Sequence, residues 1–365
     1  VPDSGPYHPS FDARATAISA GSAQLFNELG LWQTLQRHAT AISAVHVSDR
    51  GYLPGQMLDA SATGMDTQGY VVPNTWLGQV LLRALSEQSN IQQHKAGATD
   101  FVPQAGSGRL MLDNHLTPLT ARLTALADGA NSPLRQALGI TTQDKPYYQN
   151  AIIANVRCAK PHLGVAYERF TETGPLALLP LGQSPQAREM ALVWTQPSHR
   201  ASDLQNAPDT EFLARLQQHF GHRLGRFMAA SERHSYPLVL RQAREQVRSN
   251  LVLVGNAAHF LHPVAGQGFN LALRDCAALS RTITASDSPG ELNVLQGYLA
   301  QRERDQTITS RAGDAMVRLF STTALPAVAL RHLGLLSLEL APTLRSAFGK
   351  QMMGLTRTAQ EARHG

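Results

Sequence analysis

Cysteine is nearly absent. Cys158 and Cys276 stand alone in 365 residues, far apart and outside any CxxC pair, which excludes a disulfide framework and a structural zinc site and leaves two thiols expected in the interior. Long apolar runs are missing as well. The most apolar stretch, Ala324 to Leu340, is broken by Pro326, Arg331, His332 and Glu339, short of the run of about 18 apolar residues that a spanning helix needs. The opening residues, VPDSGPYHPSFDAR, contain no Met and no basic-then-apolar order, so they do not read as a signal peptide and the expected location is cytoplasmic. Neither an internal repeat nor a low-complexity linker is visible.

Charge is sparse at 16% of residues, against 43% hydrophobic, the balance of a globular chain long enough for two or three packed units. A net charge of +5 and a pI near 9.4 raise nucleic acid as a partner. The arginines are dispersed, however, without an aromatic platform or a recognisable binding module, so no nucleic acid is expected. A basic face at anionic lipid and a plain solvated surface both remain open.

Periodicity outlines the elements. A helix is expected over Ser19 to Leu29, stopped by Gly30, followed by a strand over Ala44 to Ser48 and a turn-rich stretch to Gly69. Tyr70 to Val72 reads as a strand, and Leu77, Leu81, Leu82 and Leu85 give a helical stripe. GRLMLD and ARLTALADG suggest two strands; AIIANVR, GVAYERF, LALLPL and MALVW suggest one antiparallel sheet. Helical spacing returns at Phe212 to Phe220. A last strand, Leu251 to Val254, precedes a helix with the stripe Ala272, Cys276, Leu279 and Ile283, and helix is expected beyond Glu291. Strands alternating with helices around an antiparallel block predict an α/β nucleotide-binding domain with an inserted sheet domain. The expected division is 1–43, 70–142 and 234–290 for the first, 44–69 and 143–233 for the sheet, and 291–365 for C-terminal helices.

Chemistry concentrates in LVLVGNAAHFLHPVAGQGFNLALRD, Leu251 to Asp275. A buried strand ends at Gly255, where backbone can approach a ligand; Asn256 offers an amide to a hydroxyl. Ala257 and Ala258 keep the turn small, Pro263 fixes the loop, and Gly266 and Gly268 permit unusual backbone angles. The helix expected near Phe269 turns its free N–H groups back on that loop, an anion site. Packing alone explains any one of these glycines, but not the whole string. A second element, ALADGANSPLR, brings Asp128-Gly129 to a tight turn, with Ser132-Pro133 starting a helix.

These strings resemble the second FAD motif and the DG motif of the para-hydroxybenzoate hydroxylase-like (class A) flavoprotein monooxygenases. The former is usually written GDAAH, with Asn256 here in place of the Asp that accepts ribityl hydroxyls. The resemblance implies FAD-binding roles for Arg14, Asn74, Asp128, Gly129, Gly255, Asn256, Ala257, Pro263, Gly266, Gln267, Gly268, Phe269 and Asn270, with Ser132 and Arg135 in matching places of the DG motif. VHVSDRG, YERFTETGPLALLPL, FGHRLG and SYPLVL are similar to the 2-polyprenyl-6-methoxyphenol hydroxylase branch of ubiquinone biosynthesis. The implied fold is an FAD-binding Rossmann-like domain with an inserted antiparallel-sheet substrate domain and C-terminal helices. Its opening strand, GxGxxG loop and helix have no counterpart before Phe11 or elsewhere in the sequence, and are expected upstream of Val1.

The implied reaction is hydroxylation of a hydrophobic phenol. Reduced nicotinamide, NAD(P)H, gives a hydride to FAD, and one atom of O2 passes to the ring. No catalytic base is identifiable in the sequence. Phe170, Leu178 and Trp194 are candidates for a substrate wall or equally for core. Sister hydroxylases acting at other ring positions and a non-catalytic quinone-precursor-binding subunit are the rival readings. Other enzymes of ubiquinone biosynthesis, a second copy of the chain and peripheral contact with the inner face of a membrane are the partners left open. The His259/His262 pair lacks a third ligand, so no metal is expected.

Overall fold

The computed structural model describes residues 14–49, 55–60, 64, 66–113, 117–261 and 266–321, with side chains as far as 315. Pro263, His262 and everything from 322 onward, including Arg331, Arg345 and Lys350, lie outside the described residues. The first helix is Ala20–Glu28. Ser19 caps it by accepting the Ser22 N–H at 3.2 Å, and Gly30 closes it at φ +71° while Leu31 N–H reaches Phe26 O at 2.9 Å. Strand Ala15–Ser19 feeds this helix and pairs antiparallel with Gly69–Pro73, which also pairs with Thr40–Ile42. Helix Asn74–Ser86 leaves this small sheet burying Leu77 and Val80. The expected stripe is rotated, for Leu82 and Leu85 are exposed.

A second, nine-stranded sheet runs His259–Phe260, His234–Ala243, Thr142–Cys158, Glu189–Pro197, Gly174–Leu181, Val165–Thr171, Ala44–Asp49, Gln56–Asp59, with Phe227–Ala230 beside Thr142–Cys158. The four strands expected to form one antiparallel sheet do so, and the sheet continues beyond them by a parallel pairing that was not expected, Val165–Thr171 with Ala44–Asp49, setting Glu168 against Val47 and Phe170 against Asp49. Parallel pairing needs a long crossover, and the chain supplies one that contains helix Asn74–Ser86 and the strands from Gln56–Asp59 to Thr142–Cys158.

Alternation gives each face of this sheet its own partner. Ile152, Val156, Leu176, Leu178, Leu192 and Trp194 pack with Ala201, Leu204, Phe212, Leu216 and Phe220 of helices Ser198–Asn206 and Asp209–Phe220. On the other face Ala166, Val45, Leu179 and Leu181 meet Ile42, Val71 and Ala15 of the small sheet. GRLMLD and ARLTALADG part company. Ser107–Leu112 pairs with Ala98–Gln104 and Leu119–Ala121, whereas Thr124–Leu126 pairs parallel with Leu251–Leu253.

Helix Gln267–Thr284 follows that last strand and packs against Leu292–Ser321. It buries Leu271, Asp275, Ala278 and Leu279, so the expected stripe is turned and Cys276 is exposed, while Cys158 is buried as expected. Asp275 has no solvent exposure; Arg302 Nε donates to it at 2.6 Å and Gln306 Nε2 at 3.2 Å, and His259 Nε2 lies 2.9 Å away without hydrogen-bond geometry. Arg302 also reaches Asp305, which binds Arg274 at 2.8 Å. Removing one member of such a buried set strands the other charge at a cost of about 3–5 kcal/mol. Asp275→Ala is therefore expected to lose stability on that order in urea unfolding, with Asp275→Asn between it and wild type. A loss of under about 1 kcal/mol would show that Arg302 is solvated without Asp275.

Candidate functional site

The loop after Leu251–Leu253 is built from small residues for a visible reason. The strand is fully buried, and Gly255, at φ +59°, turns the chain into a short 3-10 turn over Gly255–Ala257. Ala257 and Ala258 are buried beneath it while Asn256 is exposed, its carboxamide on the outer side. Helix Gln267–Thr284 then starts at Gly266, which caps it in the left-handed region at φ +60° with no side chain bonded to the first turn. The positive dipole end of an 18-residue helix is thus turned toward the loop, a setting that favours an anionic group.

Gly266 also answers a packing demand. A Cβ on it would lie 3.1 Å from the Ala17 Cβ. Asn270 sets this approach: its Nδ2 donates to Gly266 O at 2.8 Å and Ala17 O at 2.9 Å, and its Oδ1 accepts the Ser19 N–H at 2.8 Å. Its side-chain amide is engaged with backbone on both sides and so positions the start of the helix. The expectation of unusual angles at Gly268 is not met. Gly268 lies inside the helix, outside the positive-φ set, and a Cβ there would meet only Leu261 Cβ, at 3.9 Å. Gln267 and Phe269 occupy the same first turn; Phe269 packs with Ile18 and Phe26.

The Asp128-Gly129 turn is held to this loop by a residue whose role the sequence did not reveal. Gly129 sits at φ +93° with no atom within 4 Å of where a Cβ would stand. Asp128 is exposed and accepts the Ser132 hydroxyl at 2.8 Å; Ser132 in turn caps helix Pro133–Ala137 by accepting the Arg135 N–H at 3.0 Å. The buried Arg135 guanidinium donates Nη1 to Ala257 O at 2.8 Å and Nη2 to Ala130 O at 2.7 Å, joining the two loops. Arg241 adds a second strut, from Nη1 to Ala130 O at 3.0 Å, while Asp144 holds its other edge.

Arg14 and Asn74 are also neighbours. The Asn74 N–H donates to Arg14 O at 2.9 Å, Thr16 Oγ1 donates to Asn74 Oδ1 at 2.6 Å, and the Arg14 guanidinium lies 4.8 Å above the Tyr236 ring. The substrate-wall candidates separate. Leu178 and Trp194 belong to the helix-covered core, Trp194 meeting Phe212 at 5.9 Å, on the face away from the small sheet. Only Phe170 shares the Ala166 side of its strand. Leu178 and Trp194 are thus core residues because strand alternation sends them to the other face.

The donor set suits FAD: glycines at positive φ beside an exposed carboxamide, an uncapped helix start, and two loops tied into one rim by a buried arginine. A family model described as an FAD binding domain matches residues 7–309. Ubiquinone hydroxylase UbiL of Rhodospirillum rubrum is 34% identical over 362 residues, covering 96% of this chain and 82% of the relative. The 3-demethoxyubiquinol 3-hydroxylase of Escherichia coli is 32% identical over 351 residues, covering 94% and 88%. Among solved structures, p-nitrophenol 4-monooxygenase PnpA of Pseudomonas putida DLL-E4 superposes with a TM-score of 0.76 at 16% identity, covering 97% of this chain and 91% of that one, which shows a shared fold. The rim around Gly129, Asn256 and Gly266 accordingly lies in a chain that belongs to the FAD-binding-domain family and is an FAD-dependent monooxygenase.

Proposed function

We propose that this monooxygenase hydroxylates the ring of a polyprenyl-substituted phenol in ubiquinone biosynthesis, with NAD(P)H and O2 as co-substrates. The observation that carries the reading is the apolar sheet face of Val45, Ala166, Leu179 and Leu181. It packs against Ile42, Val71 and Ala15 of the small sheet, whose strand Ala15–Ser19 brings Ala17 to Gly266, so one strand joins the apolar side of the large sheet to the flavin rim. The names of the two relatives, a ubiquinone hydroxylase and a 3-demethoxyubiquinol 3-hydroxylase, support the substrate class. They also differ in what they name, so the ring position belongs to the test.

FAD, when bound, supplies hydride acceptance and oxygen activation. The chain's share is placement. Gly129, Gly255 and Gly266 let backbone approach the cofactor, and Asp128 and Asn256 offer their exposed side chains to its hydroxyls. Arg14 and Asn74 line the same side as the small sheet. The bare start of helix Gln267–Thr284 favours negative charge on an electron-rich ring edge. The buried small residues Ala257 and Ala258 exclude water from beneath the loop.

The test of activity is incubation of the FAD-loaded enzyme with short-tailed polyprenylphenols, reduced nicotinamide and isotope-labelled O2. The expected product has gained one labelled oxygen atom on the ring; reduced nicotinamide consumption without labelled product would sink the reading. Gly266→Val is expected to purify with roughly a tenth or less of the wild-type FAD content and an unchanged far-UV spectrum, because a β-branched residue at φ > 0 adds strain of about 1–3 kcal/mol to the contact with Ala17. Gly268→Ala is expected to keep its flavin. Asn256→Ala is expected to weaken FAD binding roughly fivefold, the loss of about one hydrogen bond of 1 kcal/mol. Full flavin occupancy in Gly266→Val would misplace the rim.

Among the described residues no helix is long and apolar enough to cross a membrane. A polyprenyl tail partitions into lipid at about 0.8 kcal/mol per buried CH₂, so contact of this basic chain with an anionic bilayer surface forms part of the proposal. Co-flotation with anionic vesicles should fall as salt shortens the Debye length from about 30 to 3 Å. Absence of flotation at low salt would remove the membrane from the account.

A further inference from the structure

Glu168 lies in the middle of strand Val165–Thr171. Tyr167 before it joins the helix-covered core, its ring edge-on to Phe220 at 5.4 Å, whereas Ala166 joins Ile42 and Val71 on the opposite face. Side chains two residues apart share a face. Glu168 therefore stands beside Ala166 on the face turned to the small sheet, whose Ala17 meets Gly266. Its registered neighbours, Val47 on one side and Ala177 on the other, have no polar side-chain atoms to offer it. Protein encloses Glu168, yet the side chain keeps partial solvent exposure. Glu168 is thus a carboxylate flanked by protein, with access to solvent only in part.

No donor or cation among the described residues pairs with this carboxylate. The strand beside it brings Asp49 to the same face, and Gly174–Leu181 brings no charge. Helix Leu292–Ser321, which packs against both Val165–Thr171 and Gly174–Leu181, carries Arg302 and Asp305, already engaged in the Asp275 network. It also carries Asp314, paired with Lys145, and Glu303, Arg304 and Arg311, which are exposed. Burial alone pushes the Glu168 pKa up to about 7, because a carboxylate that loses water without gaining a donor is harder to ionise.

We propose that the Glu168 carboxylate is the catalytic base that takes the phenolic proton of the substrate ring. The assignment rests on the phenol-hydroxylation reading above. In the step, the phenol O–H bond breaks and an O–H bond forms on a Glu168 oxygen. The electron pair left on the phenolate oxygen spreads to the ring carbons ortho and para to it and makes them better nucleophiles toward the incoming oxygen atom. As the ring rearomatises, the hydroxylated carbon gives its proton to water and the original ring oxygen recovers a proton from Glu168, which restores the carboxylate. A base whose pKa lies near the working pH is both available and stronger than an ordinary carboxylate.

The experiment uses FAD-loaded full-length protein and a short-tailed polyprenylphenol, with hydroxylated product followed between pH 5 and 9. Wild type is expected to rise with pH and level off above about 7. E168Q is expected to lose that inflection and to fall on the order of 10²-fold or more, the usual worth of a general base, at unchanged FAD content. A ring-fluorinated phenol that is already ionised at the assay pH should restore most of the E168Q rate, which a merely structural role would not allow. A second readout needs no activity. Folding holds the Glu168 pKa above its ordinary 4.5, so the native state is progressively destabilised as pH rises from there through about 7, and E168Q should lack that decline. If E168Q fails to load FAD, E168D takes its place and should keep an inflection at a lower rate. An E168Q enzyme with the wild-type rate and pH profile overturns the assignment alone. A wild-type enzyme that hydroxylates no phenol overturns the functional reading, and the assignment with it.

Discussion

The contact between Gly266 and Ala17 governs the architecture of the site. A helix that is to aim its positive end at a loop must begin abruptly, and here it begins against a strand so close that a Cβ would stand 3.1 Å from its neighbour. Asn270 holds that distance with three hydrogen bonds to backbone groups of Ala17, Ser19 and Gly266. The same strand, Ala15–Ser19, belongs to the sheet that covers one face of the nine-stranded sheet. Moving the helix start would therefore shift the loop after Leu251–Leu253 and the apolar face of the large sheet relative to each other.

Two desolvated arginines stiffen this junction in different ways. Arg135 gives its protons to carbonyl oxygens and so fixes the spacing of two loops without a carboxylate partner in direct contact. Arg302 is neutralised by Asp275 and Asp305 and ties the cofactor helix to the long helix that follows. Hydrogen bonds to charged groups contribute about 1.5–3 kcal/mol each, but the desolvation of a buried guanidinium offsets much of that. What such groups give the site is geometry more than stability.

Much of this was legible in the sequence. The strand–loop–helix around Gly255 to Asp275 and the Ser132 cap announced themselves because glycine, proline and short polar residues have local conformational reasons to be where they are. The stripes of the helices at Asn74–Ser86 and Gln267–Thr284 were misjudged, since the buried face is chosen by tertiary partners: Asp275 is interior only because Arg302 and His259 converge on it. Strand pairing between residues 44–49 and 165–171 leaves no local trace. Arg135 was placed in the DG motif, but its bonds to two carbonyl oxygens could not be read from its neighbours in sequence, and Glu168 was passed over because a carboxylate flanked by Val47 and Ala177 across the sheet looks in sequence like a surface charge.

The parallel pairing of Ala44–Asp49 with Val165–Thr171 has a consequence for synthesis of the chain. The earlier strand emerges from the ribosome 121 positions ahead of its partner, Ala44 against Val165 in the register, which at about 5–20 residues per second amounts to roughly 6–24 s. During that interval the Ala44–Asp49 and Gln56–Asp59 hairpin can close, but one long edge of it stays open. An open edge of this kind is a template for wrong partners. The polar residues His46, Ser48 and Asp49 that interrupt its apolar positions limit how well it can pair with another nascent chain while it waits.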